Sequence, residues 1–490
     1  MRALIEEIRG LVYRMDRDGL LGLDRPASLP RSTRVVPYPS SWRRHEGGVL
    51  FLAKTPAEKF LVTAGIDLPL AGEREKVDGR RVGVHPLTAE NAAAIREIFP
   101  FVAPKKLPPG LPSFGCGDRL GLANPGHLRA LRGYRVAPVL AQQSVRELNL
   151  TGRSFTQVID AATWAVLQEG YEGGYAADGD HLKTIDEVRM ALSAGATMIT
   201  LDLSLCLAAS GLPPCPAVLL DRADQSFVIG GREVILNRVM IEDFWQIYGA
   251  ALVFVREADT LCREYRGLGG YDLEVSVDET AEPTRIEDHL IFGLEMERLG
   301  IEAFSLAPRF PGEFQKAVDY RGNLRRFETE FALHAVLARR FGHRLSIHSG
   351  SDKFAIFPLV GRLTEGRFHL KTAGTSWLLA LGVAAAKDPE LFRRIYARAL
   401  ESFAEAKKYY HIATEPAEVG PIDSIPDGDL PGLLEDEPSR QLLHITYGQI
   451  IQDPGLGPAL FRLLAVEEEA YYEAVIAHFR RHLEALGLSE

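Results

Sequence analysis

Three of the thirteen histidines sit in or at the end of short apolar runs: His181 just after GYAADGD, His348 in RLSIHSG and His369 in RFHLKTA. Imidazoles brought to one point by three separate strands can bind a divalent metal and leave positions open for substrate. Such a set suits zinc, with nickel, manganese or cobalt as substitutes. Asp180 directly precedes His181, and a carboxylate beside a metal-bound substrate is placed for proton transfer. Glu279 is the opposing carboxylate, with Asp278 as its rival, and Asp178 is a further ligand or a group that orients one. Each residue also has a plainer reading. A lone histidine in an apolar strand is more often a satisfied core residue, Asp180 can cap a helix starting near Lys183, and Glu279 can pair with Arg285 or Arg309. Their joint occurrence at strand ends favours chemistry.

The surrounding residues point to a small anionic substrate. Lys353, Lys371 and Arg119 are the candidates to hold a carboxylate or phosphate, and Asp118 and Gln143 complete the expected substrate-binding set. The turn at His348–Lys353 is rich in glycine and serine and can present backbone N–H groups to an anion. No P-loop is present, and no GxGxxG follows a strand, so no nicotinamide site is expected. The G-x-S-x-G element of serine hydrolases is also missing.

These residues need a scaffold that gathers strand ends. Strand-like runs at 113–119, 135–141, 174–180, 197–203, 273–279, 301–307, 344–350 and 367–373 alternate with amphipathic helical stretches at 151–168, 184–193, 285–299 and 325–340. That pattern predicts a (β/α)8 TIM-type barrel spanning 106–420, whose active site lies at the C-terminal ends of the strands. Residues 208–270 are too long for one crossover and predict an insertion after the fourth strand: a hairpin turning at Gly230-Gly231 and a long helix. Residues 1–105 read as an N-terminal α/β extension, with Thr88 capping a helix over 88–99. Residues 421–490 read as a helical C-terminal segment packed on the barrel. Its last helix, 465–486, is amphipathic and offers a packing or homo-oligomer surface.

Composition narrows the class of protein. The 490 residues are 46% hydrophobic and 25% charged, ordinary for a globular chain. A net charge of −10 disfavours nucleic acid or anionic membrane as partner, and no apolar run approaches the roughly 18–20 residues of a membrane span. MRALIEEIRG carries two acids in a helical pattern, unlike a signal peptide, and the four cysteines form no CxxC pair. A cytoplasmic enzyme is expected.

The motifs SFGCGDRLGLANPGH (113–127), AQQSVRELNLTGRS (141–154), ATWAVLQEGYEGGYAADGDHLKT (162–184), IHSGSDKF (347–354) and HLKTAGTSW (369–377) resemble the tagaturonate/fructuronate epimerases of hexuronate catabolism. The Asp180-His181 pair and His348 followed by Ser-Gly-Ser also resemble the metal-ligand neighbourhoods of class II ketose aldolases. The first resemblance implies a metal-dependent epimerase that interconverts D-tagaturonate and D-fructuronate. The second implies that Asp180 handles a proton while His181 binds metal. A metal-dependent aldolase acting on a ketose or keto-uronate is the competing expectation. A sugar-binding protein without turnover and a ketose–aldose isomerase fit the strand-end groups less well.

Overall fold

The computed structural model describes residues 2–77, 79–410 and 412–489. Eight parallel strands close into a barrel in chain order: β1 (Ser113–Cys116), β2 (Ala137–Ser144), β3 (Ala176–Leu182), β4 (Met198–Asp202), β5 (Asp272–Val277), β6 (Ser305–Pro308), β7 (Arg344–Ile347) and β8 (Phe368–Thr372), with β8 pairing back to β1. Each overlaps one of the eight predicted runs, though β2, β3 and β6 run past the predicted ends and β5 begins a residue early. The strands are buried on both faces, as expected where helices cover the outside of a parallel sheet.

Local signals explain the crossovers. Ser154 and Gln157 form a capping box that starts the helix Phe155–Glu169, and Gly170, at φ 59°, ends it. Thr184 and Glu187 do the same for Ile185–Ala194. Between β4 and β5 the chain forms the hairpin Ser226–Ile229/Arg232–Ile235 and the 29-residue helix Arg238–Arg266. After β8 the chain forms two helices in succession, Thr375–Lys387 and Pro389–Ala406, with a break between them. Pro389 has no N–H to give, and it disfavours helical backbone at Asp388.

The N-terminal region holds more sheet than its sequence indicates. Six strands between Val36 and Pro86 pair antiparallel, and the helix Arg2–Arg17 packs Ile8, Leu11, Val12 and Met15 into one core with Val49, Phe51 and Val62. The C-terminal helix Glu468–Ala485 joins this sheet to the barrel. Its Glu468 accepts hydrogen bonds from Tyr38 and pairs with Lys54 and Lys59, while the Tyr471 hydroxyl donates to the Ser376 carbonyl at 3.0 Å. Among the described residues, no helix is long and apolar enough to cross a membrane.

Candidate active site

The barrel interior is polar where such barrels usually pack Val, Ile and Leu. Lys371, fully buried on β8, donates to Asp178 Oδ2 at 2.9 Å and Asp180 Oδ1 at 2.6 Å on β3, and lies 3.0 Å from Glu274 Oε1 on β5. It also bonds Thr200 on β4. Burial opposes its charge, but the three carboxylates outweigh burial and hold the ammonium well above its usual pKa. Burial pushes Asp178 up to about 6. Asp180 is held well below the usual carboxylate range, because His181 and Lys371 overcome its burial.

One layer above this cluster, His181, His348 and Asp278 meet at the barrel mouth. One ligand-type atom from each lies within 4.8 Å of the others. Strand alternation would send Asp180 and His181 to opposite faces. The pairing of β3 with β4 shifts register after Ile199, and His181 adopts the left-handed φ of 54°. The resulting bulge turns both side chains to the mouth. His181 Nδ1 bonds Asp180 Oδ1 at 2.7 Å, which leaves its Nε2 for a ligand. His348 Nε2 bonds Glu274 Oε1 at 2.7 Å, while its buried Nδ1 lies 3.1 Å from Asp278 Oδ2 without a well-formed hydrogen bond. Burial disfavours a charged His348, yet Asp278 and Glu274 push it up to about 10. The same two carboxylates would stabilise a divalent cation in place of that proton. Two imidazoles, each oriented by a carboxylate, and a third carboxylate fit a divalent ion.

The structure separates the other sequence-predicted residues. His369 is only the second residue of β8, so it lies at the floor of the barrel rather than its mouth. It bonds Ser113 at 2.9 Å and packs by Phe304, and burial lowers its pKa to about 3. Asp278 stands where His369 was expected. Asp118 accepts the N–H groups of Gly121, Leu122, Ala123 and Asn124, and so fixes the turn into the next helix. Gln143 faces the helix layer, since it pairs with Gly179, whose missing side chain would meet Ala191; Gln142 faces the cavity instead. Lys353 donates to the carbonyls of Gln315, Val318 and Ser351 and ties down a loop, away from the cavity. Arg119 and Lys371 do line the cavity, as do Asp180, His181, His348 and the exposed Glu279. Arg119 is held by Glu147 at 2.9 Å and stacks on Tyr447.

Comparison with known proteins places this arrangement in a family. The tagaturonate epimerase profile matches residues 38–210 and 219–486. The tagaturonate/fructuronate epimerase of Thermotoga maritima is 39% identical over 465 residues, 92% of this chain and 96% of that one. The chain belongs to the tagaturonate epimerase family. Two crystal structures of the fructuronate-tagaturonate epimerase from Cohnella laeviribosi are similar. The native form is 40% identical with a TM-score of 0.87 over 93% of this chain and 97% of that one. A form with two glycerols is 38% identical with a TM-score of 0.88 over all of both chains.

In this member of the tagaturonate epimerase family the mouth opens into a cavity of about 410 Å³. Its wall carries cations that sequence reasoning missed: Arg146, Arg309 and Lys316. Arg146 lies over Tyr410, and Arg309 donates to the Thr280 carbonyl. Lys316 donates only to Ser349 Oγ, at 2.8 Å, among the described residues. Burial, with Arg146 nearby, lowers its pKa to about 8. Arg309 and Lys316 lie on the loop after β6 and Arg146 in the first turn of the short helix Val145–Thr151 after β2, so no strand pattern marks them.

Proposed function

We propose that the chain interconverts D-tagaturonate and D-fructuronate by breaking and re-forming the bond between C3 and C4 of the ketose. The observation that carries this reading is Asp180. Its hydrogen bonds fall on Oδ1, which leaves Oδ2 toward the cavity beside the His181–Asp278–His348 group.

The two ketouronates differ at C4, whose hydrogen is not acidified by the C2 ketone. Simple enolisation therefore cannot invert that carbon. Retro-aldol cleavage can, and it requires no nicotinamide. Asp180, kept ionised by Lys371 and His181, takes the C4 hydroxyl proton. The C3–C4 electron pair moves toward the ketone, leaving an enediolate fragment and an aldehyde. The aldehyde turns, C3 attacks its other face, and the new C4 alkoxide takes a proton from Glu279 on the opposite rim. The roles exchange in reverse. His181, His348 and Asp278 would hold a divalent ion, zinc by the character of the set, which supplies Lewis acidity toward the ketone oxygen. Lys316 supplies the positive charge that a substrate carboxylate needs.

The test is metal analysis of the purified protein, with turnover of tagaturonate before and after chelation. Activity should fall with metal content and return with added zinc, nickel, manganese or cobalt. Deuterium placed on C4 should remain there through inversion; its loss to water would rule out cleavage between C3 and C4. Accumulation of free fragments in place of fructuronate would make the enzyme an aldolase.

A further inference from the structure

A second group of metal-ligand type lies outside the cavity, where the loop after β7 meets the C-terminal helix. His478 and His482 stand one turn apart on the helix Glu468–Ala485 and face Asp352, and one ligand-type atom from each lies within 4.8 Å of the others. Asp352 Oδ1 is 3.0 Å from His478 Nε2 and 3.8 Å from His482 Nε2. We propose that Asp352, His478 and His482 form a second divalent-metal site, structural in role, that fastens the C-terminal helix to the loop carrying His348.

The hydrogen bonds around the group prepare it for a cation. His482 Nδ1 donates to the His478 carbonyl at 3.0 Å, so the lone pair resides on Nε2, which faces Asp352. Arg440 donates to Asp352 Oδ2 at 2.9 Å, which fixes the carboxylate and leaves Oδ1 toward the imidazoles. His478 Nε2 is buried without a well-formed hydrogen bond and is directed at Asp352 Oδ1, so its lone pair is available to a cation between them. Asp352 holds the left-handed φ of 60°, backbone that a non-glycine residue adopts only when its surroundings require it. Its N–H donates to His482 Nε2 at 3.1 Å, a bond that a metal on that nitrogen replaces.

The neighbourhood also sets the coordination. Phe354, Phe357 and Phe479 pack on His482 and keep bulk water from that side. His478 and Arg440 line a separate cavity of about 360 Å³ with Leu378, Gly382 and Leu434. Two imidazoles and one carboxylate oxygen leave a fourth tetrahedral position for a water from that cavity. This set favours zinc, cobalt or nickel over calcium or magnesium. Asp352 is four residues from His348, so an ion here pins the far end of the loop that presents His348 to the substrate cavity.

The experiment is equilibrium dialysis of the full-length, chelator-stripped protein against zinc, followed by metal-to-protein ratios. The wild type should hold two zinc ions per chain. His478→Gln and, as an independent variant, Asp352→Asn should each hold one, and His181→Ala should hold one at this site. Zinc should raise the melting temperature of His181→Ala but not that of His181→Ala/His478→Gln. A wild type that binds one zinc, lost in His181→Ala, would overturn the second site and leave the first intact. Two ions kept by His478→Gln and Asp352→Asn would overturn it as well. One ion kept by His181→Ala and lost in His478→Gln would support this site while removing the first.

Discussion

At the scale of single residues, the arrangement separates groups that bind metal from groups that move protons. His348→Ala removes one imidazole from the mouth and should lower metal content and activity together. His369→Gln, at the barrel floor, should leave metal content unchanged, although both histidines belong to apolar runs of similar appearance. Metal lost in His369→Gln would return that residue to the ligand set, and full metal occupancy in His348→Ala would remove His348 from it. Asp180→Asn and Glu279→Gln keep the shape of the side chain and remove its proton chemistry. General acid–base groups typically contribute about 10²–10⁴-fold, so each should cut turnover by that order with metal retained. If Glu279→Gln keeps most of its turnover, Asp278 is the next residue to test as donor, with the added expectation that its loss also releases metal.

At the scale of elements, the apolar runs marked all eight strands, and helix caps such as Ser154 and Thr184 lay in plain view. What the sequence did not contain was the starting residue of each strand, and chemistry turned on it. His369 and Lys371 share one face of β8, so a shift of two residues decides which of them approaches the mouth. Glu274 was invisible as a site residue because it sits mid-strand; only closure of the barrel brings it against His348 and Lys371. The bulge at Asp180-His181 was foreseeable as a strand-end turn, but its left-handed backbone was not. Asp118 shows the same limit from the other side, since a carboxylate at a strand end became a turn-builder that holds four backbone N–H groups. Asp118→Ala leaves these donors unpaired at a buried position and should cost about 2–3 kcal/mol of stability. Thermal unfolding and kinetics check this together: the melting temperature should drop while KM for tagaturonate stays near that of the wild type. A raised KM with unchanged stability would restore Asp118 to the substrate site.

At the scale of the whole molecule, an acidic chain folds around imidazoles that cannot accept a charge. His334, His289 and His343 form a buried chain, with His334 Nδ1 2.8 Å from His289 Nδ1 and His289 Nε2 2.9 Å from His343 Nε2. His334 also donates to the Thr284 backbone. One tautomer set satisfies every contact: His334 donates to Thr284, His289 donates to His334, and His343 donates to His289. That set is neutral throughout, and an added proton would place a charge beside two other imidazoles out of water. Burial accordingly lowers His334 and His343 to about 4 and puts His289 further down. In the unfolded chain each would titrate near 6.5. Above that pH neither state binds the protons, and the cluster contributes its full stability. As pH falls from about 6.5 toward 4, the unfolded chain gains up to three protons that the folded cluster refuses, and stability drops by as much as about 4 kcal/mol per pH unit from this cluster. Unfolding measured in denaturant between pH 7.5 and 4.5 should show that loss. His343→Gln keeps an amide donor at the end of the chain but cannot titrate, so its slope should be shallower by about one proton. An identical slope in wild type and variant would mean that the acid sensitivity arises elsewhere.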